Sequence, residues 1–241
     1  MFETTKTRAG TAVDAGLRDY MLKVYNFMAG GLAVTALAAY VIMQTGLIRM
    51  FFNFSPAGMP TGMSVLGWLF LFAPFAMIFA FGWVMSRGTI QQVQGTFWGF
   101  SALMGVSLSP VLLAYTGSSV AQIFLITAAT FGSMSIYGYT TKKDLTSIGS
   151  FMIMGVWGIV IASIVNMFVQ SPGMSYAISI LTVIAFTVLT AYDTQKIRQM
   201  YFSGDESDTL TRKAIAGALA LYLDFINMFL ALLRLFGDRR S

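Results

Sequence analysis

The chain has 241 residues, of which 56% are hydrophobic and 10% charged, against about 25% charged in ordinary globular proteins. It contains no cysteine and no histidine. That excludes disulfides, thiol chemistry and Cys/His metal sites, and leaves carboxyl groups in unusual surroundings as the source of any pH response near neutrality. The formal net charge of +5 is scattered over loops and tails; no basic stripe is interleaved with aromatics, so nucleic acid is excluded as a partner, and the lipid bilayer is the expected surrounding.

Residues 1–20 mix Glu3, Asp14 and Asp19 with Lys6, Arg8 and Arg18. They read as a polar, flexible cytoplasmic tail and not as a signal peptide, because no cleavage site follows and the next apolar run is of spanning length. Residues 21–241 are expected to form one transmembrane domain. No charge interrupts Met50–Ser86, Gly88–Thr141 or Leu145–Tyr192, and a spanning helix needs about 20 apolar residues. Seven spans are predicted, over residues 22–44, 64–86, 93–115, 119–140, 148–169, 176–197 and 214–236. The fold class is therefore all-α integral membrane protein, a seven-helix bundle. NFSPAGMPTG, SRGTIQQVQG, YTGSS, TTKKD and QSPGMS supply turn chemistry between spans. Pro74 and Pro110 fall inside spans and are expected to kink or loosen them. Gly95/Gly99 and Ser101/Gly105 read as close-packing pairs.

Lysine and arginine set the orientation. With the amino terminus inside, Lys23, Arg87, Lys142, Lys143, Lys196, Arg198, Arg212 and Lys213 are cytoplasmic and Arg49 is outside. Arg234, Arg239 and Arg240 then also fall outside, unless the last segment is re-entrant. The run from Ala214 to Phe236 is long enough to span, so seven full crossings are expected.

Two carboxylates lie deep in apolar runs: Asp193 in TVIAFTVLTAYDTQKIR and Asp224 in AIAGALALYLDFINMFLALL. A charge in the bilayer costs about 2.5–3.5 kcal/mol on insertion scales, and such residues mark ion or proton pathways by default. Asp193 precedes Lys196 and Arg198 near one end of its span. Asp224 lies roughly 16 Å along the last span from Lys213 at 1.5 Å per residue. Both depths belong to the same half of the membrane, on consecutive antiparallel helices. Two carboxyls in one low-dielectric site cannot both ionise easily and titrate as a pair. Losing a shared proton drives the helices apart or invites a cation. Calcium fits, because it is hard and takes oxygen ligands in irregular geometry. Asn227 and Thr190, each three residues from an aspartate, are candidate polar support for a calcium ion on Asp193 and Asp224. The plainer alternatives stay open here: Asp193 paired with Lys196 or Arg198, and Asp224 a hydrogen-bonded buried acid. Arg87, which closes the second span beside Gly88, is either an interfacial anchor or a latch on a carboxylate.

AYDTQKI and ALALYLDFINMFLALLRLFG resemble the paired signatures of the Bax inhibitor (transmembrane Bax inhibitor motif) family. The likeness extends to span number, the Lys-Lys-Asp loop after span four and the Ser-Pro late in span three. It implies a seven-helix bundle with the last helix central and a pH-sensitive calcium leak. It also implies an aspartate pair at Asp193 and Asp224 as pH sensor and gate, and a latch at Arg87. A bacterial member would sit in the inner membrane, and some are linked to an ATP-dependent membrane protease as substrate or modulator. An intramembrane aspartyl protease also pairs Tyr-Asp with a second aspartate, but in Gly-x-Gly-Asp; here Leu-Tyr-Leu-Asp stands in that place, so no enzyme and no catalytic residue is expected. A retinal protein needs a lysine mid-span that span seven lacks. A proton-coupled transporter is the remaining alternative, and apart from a calcium ion no cofactor is expected.

Overall fold

The computed structural model describes the backbone of residues 2–55 and 60–240 and the side chains of 15–55 and 61–240. Its helices are α1 (Phe2–Gln44), α2 (Val65–Arg87), α3 (Ile90–Leu113), α4 (Gly117–Thr140), α5 (Thr146–Val169), α6 (Pro172–Gln199) and α7 (Ser207–Phe236). All seven are long and apolar enough to cross a membrane, α1 from Ala15 onward. Residues 1–20, expected to be a flexible polar tail, are instead helical from Phe2 as the first part of α1, and the side chains before residue 15 lie outside the described residues.

Local chemistry sets the ends of the helices. Gly46 at φ 72° takes the left-handed conformation just past α1, which a side chain would resist. Ser64 caps α2 by accepting from Gly67 N–H, and Ser171 caps α6 with Pro172 in the first turn. Thr89 and Gln92 form a reciprocal capping box at α3. Both α2 and α3 run unbroken through Pro74 and Pro110. The segment after α1, expected to be a plain loop, instead makes a 3-10 turn (Leu47–Phe51) and a hairpin. In it β1 (Phe52–Phe54) pairs antiparallel with β2 (Pro60–Met63).

The chain divides into two compact units. One holds the start of α1, through Tyr25, with residues 117–238. In it α7 packs on α6 and α4, and α6 also packs on α4 and α5. The last helix is the central one here: 72% of its spanning window is buried. It also runs from one end of this unit to the other. Near its start Lys213 bonds the end of α6 at Met200 O, 3.0 Å. Just past its end Asp238 N–H donates to Ser119, at the start of α4, 2.9 Å. A re-entrant segment would return to the end from which it started.

The other unit holds residues 26–116 with 239–241. In it α2 packs on α3, and Phe27 lies against Phe97 and Trp98. Thr35 donates to Ser101 O at 2.8 Å, and a side chain at Gly105 would strike the Thr35 carbonyl. The Ser101/Gly105 pair is thus a true close approach of α1 and α3. Gly95 is not: nothing lies within 4 Å of where its Cβ would be.

Candidate functional site

Asp224 comes from the middle of the most buried helix and is only 4% exposed. Its Oδ2 is fully buried and receives no hydrogen bond from an N–H or hydroxyl among the described residues. The group it meets is Asp193, half-buried on α6, close enough for one carboxyl to hydrogen-bond the other when a proton lies between them. The structure therefore brings together the two aspartates that sequence placed at one depth.

Asp193 makes no direct salt bridge with Lys196 or Arg198 among the described residues, although the Lys196 charge is close enough to act on it. Arg198 donates to Tyr139 O at 2.6 Å and lies over the Tyr139 ring, while Lys196 lies over the Tyr192 ring, 5.8 Å from its centroid. Among the described residues the ion pair is Lys213–Asp205, 2.5 Å, beyond the end of α6. Lys23 is taken by Thr211 at 2.6 Å. Several cations thus surround this end of the unit, and of these Lys196 acts on Asp193 through its charge without a direct salt bridge.

The two candidate supports have their donors engaged within their own helices, which leaves their oxygens able to accept. Thr190 is fully buried and its hydroxyl donates to Phe186 O, 2.7 Å, one turn back. Asn227 Nδ2 does the same with Leu223 O at 2.8 Å. Among the described residues no group of three or more acidic side chains is arranged to hold a metal. Two carboxyls are few for calcium, which takes 6–8 oxygens. Arg87 ends α2 in the other unit, exposed and without an ion pair among the described residues.

Sequence reasoning missed the frame that holds Asp193. Tyr25 Oη and Ser135 Oγ are 2.6 Å apart, and Ser135 Oγ and Thr194 Oγ1 3.0 Å, a buried hydroxyl chain joining α1, α4 and α6. Gln195 Oε1 accepts from Leu145 N–H at 2.9 Å and its Nε2 donates to Lys143 O at 2.8 Å, tying α6 to the loop before α5. Gly138 of α4 lies against the Ala191 backbone, and Gly149 of α5 against the Tyr192 ring. The signal was present: Asp193-Thr194-Gln195 is a run of three polar residues at the end of an apolar span. Their hydrogen-bond partners Ser135, Lys143 and Leu145, between 50 and 59 residues away, were not.

Residues 17–241 match the family model described as inhibitor of apoptosis-promoting Bax1. The chain is 42% identical to an uncharacterized protein of Rickettsia prowazekii over all of both chains. It is 42% identical to one of Caulobacter vibrioides, over 97% of this chain and 94% of that one. It is 40% identical to the inner membrane protein YbhL of Escherichia coli, over 94% of each. The seven apolar helices, the paired aspartates on the last two and this match over nearly the whole length lead to one conclusion: the chain belongs to the Bax inhibitor family of integral membrane proteins.

Proposed function

We propose that Asp193 and Asp224 gate a pH-sensitive cation leak, with calcium as the first candidate ion, in a bacterial inner membrane with the amino terminus in the cytoplasm. The observation that carries this reading is the meeting of two carboxyls from adjacent antiparallel spans, one of them buried with an oxygen that no N–H or hydroxyl among the described residues satisfies. A shared proton lets one carboxyl donate to the other and holds α6 to α7. Without it, two negative charges face each other in low dielectric, where repulsion is strong. The helices separate, or a cation enters between them. The chain has no histidine, so this pair is the group suited to answer pH near neutrality. The inner-membrane placement is supported by the name of the Escherichia coli relative.

The test is calcium flux into liposomes carrying the pure protein. Wild-type flux is expected to vary across about pH 6–8, and Asp193→Asn and Asp224→Asn each to flatten that profile. The double variant should match either single one, because each removes the same shared proton site. Unchanged pH dependence in both single variants would remove the pair from the mechanism. Arg87, as the latch that the resemblance implies, adds a second test. Arg87→Ala should raise basal leak about tenfold if the proposed latch is worth about 1.4 kcal/mol. Arg87→Lys should restore only part, since an ammonium lacks the planar fork. Normal flux in Arg87→Ala would leave Arg87 as a plain anchor.

A further inference from the structure

Where α2 turns into α3, within a single unit, an open groove of ≈ 630 Å³ is lined by Trp83, Arg87, Gln92, Gly95 and Thr96 among others, with no carboxylate. Arg87 is exposed, and among the described residues its guanidinium makes no ion pair or hydrogen bond. Gln92 accepts from Thr89 N–H through Oε1 at 2.8 Å, which leaves its Nε2 hydrogens without an acceptor among the described residues. Trp83 is 62% exposed, so its ring N–H is also available. Three of the polar groups on offer are donors, one of them a full cation, and with no carboxylate to oppose them the chemistry they recognise is anionic.

We propose that this groove binds the phosphate headgroup of an anionic phospholipid. Its place in the chain selects the bilayer as the source. Two spanning helices end and begin here, which sets the groove at headgroup depth, where tryptophan and arginine are favoured. Guanidinium matches phosphate with a bidentate fork. Trp83 and Val84 give the groove an apolar wall, which an acyl chain covers and a free phosphate ion does not. Gly95 leaves the floor open, with nothing within 4 Å of its missing Cβ. This is a statement about binding, and it stands whether or not Arg87 latches a leak.

The test uses the full chain in nanodiscs of phosphatidylcholine, with and without phosphatidylglycerol, and native mass spectrometry to count retained lipids. Wild type should retain phosphatidylglycerol in preference to phosphatidylcholine. Arg87→Gln should lower that retention about tenfold, the value of one charge-assisted contact, and Arg87→Lys should keep an intermediate level. Gly95→Leu should lower it too while keeping the guanidinium, because it fills the groove. Arg49→Gln, a change to an exposed arginine in the 3-10 turn, should behave as wild type. Four results overturn the proposal: equal retention of both lipids; wild-type retention in Arg87→Gln; an equal loss in Arg49→Gln; or displacement of the lipid by glycerol 3-phosphate in solution, which would make this a site for free phosphate.

Discussion

The most apolar stretches of α5 and α7 are each able to span a membrane, yet 6% of one and 72% of the other is buried. In water both such stretches would seek the core. In lipid, apolar surface has no such preference, and close packing and polar contacts decide which helix goes inside. On α7 the small residues Ala214, Gly217 and Ala218 let its neighbours approach, and Tyr222 and Asp224 need surroundings that lipid does not offer. On α5, Phe151, Met154, Trp157, Ile161 and Phe168 all stand exposed, a face that lipid chains cover. Hydropathy thus identifies a span, while polarity and residue size place it.

The comparison is broken most directly by truncation. Leu221 is fully buried on α7 and Phe168 is 79% exposed on α5. Leu221→Ala should cost about 2–5 kcal/mol through the cavity it leaves. Phe168→Ala, though it removes a larger side chain, should stay within about 0.5 kcal/mol. Unfolding of both variants in one detergent measures the difference, and equal costs would mean that lipid contact and helix contact are worth the same.

Glycines sharpen the contrast on a smaller scale. A methyl at Gly138 would run into the Ala191 backbone, whereas one at Gly155 of α5 meets nothing within 4 Å. Gly138→Ala should destabilise by about 1–3 kcal/mol, as overpacked sites do, and spread α4 from α6 next to Asp193. Gly155→Ala should be neutral or slightly stabilising, since alanine is the better helix former by about 1 kcal/mol. Loss of stability at Gly155 comparable to that at Gly138 would show that α5 is covered by a partner helix and not by lipid.

What was legible in the sequence follows the same division. The long uncharged runs gave the seven crossings to within a few residues, save at two starts: α1 is helical from Phe2, its spanning part from Ala15 and not 22, and α7 begins at Ser207 and not 214. The missed turns, Ser207 to Lys213, carry Asp208, Arg212 and Lys213 and were read as loop because a hydropathy argument sees only the apolar part of a helix. The hairpin after α1 was missed for a related reason: NFSPAGMPTG is rich in turn residues, and its strands are three and four residues long. Asp193 and Asp224 stood out because a carboxylate in an apolar run is conspicuous. Tyr25, Ser135 and Gln195 did not, because hydroxyls and amides are common in spans and become informative only once their partners are known.

The smallest expected effect lies at the start of α5. That helix has no side-chain cap at Leu145; instead Asp144 accepts from the Thr146 hydroxyl at 2.6 Å and from its N–H at 2.9 Å. These two bonds, the hydroxyl's first, hold the Asp144 carboxyl below its ordinary value. The sign follows from linkage. A carboxyl whose value falls on folding contributes stability that is fully present above its unfolded value and is lost as pH drops through the lower folded one. The contribution should therefore be intact at neutral pH and fade only in strong acid, well below the range in which the Asp193–Asp224 pair is proposed to act. Because Asp144 is exposed, solvent screening keeps the effect small. Asp144→Asn should remove the acid-limb loss of α5 amide protection, read by hydrogen exchange, and leave the pH profile of calcium flux unchanged. A shifted flux profile in Asp144→Asn would tie the lipid-facing helix to the gate and erase the distinction between α5 and α7.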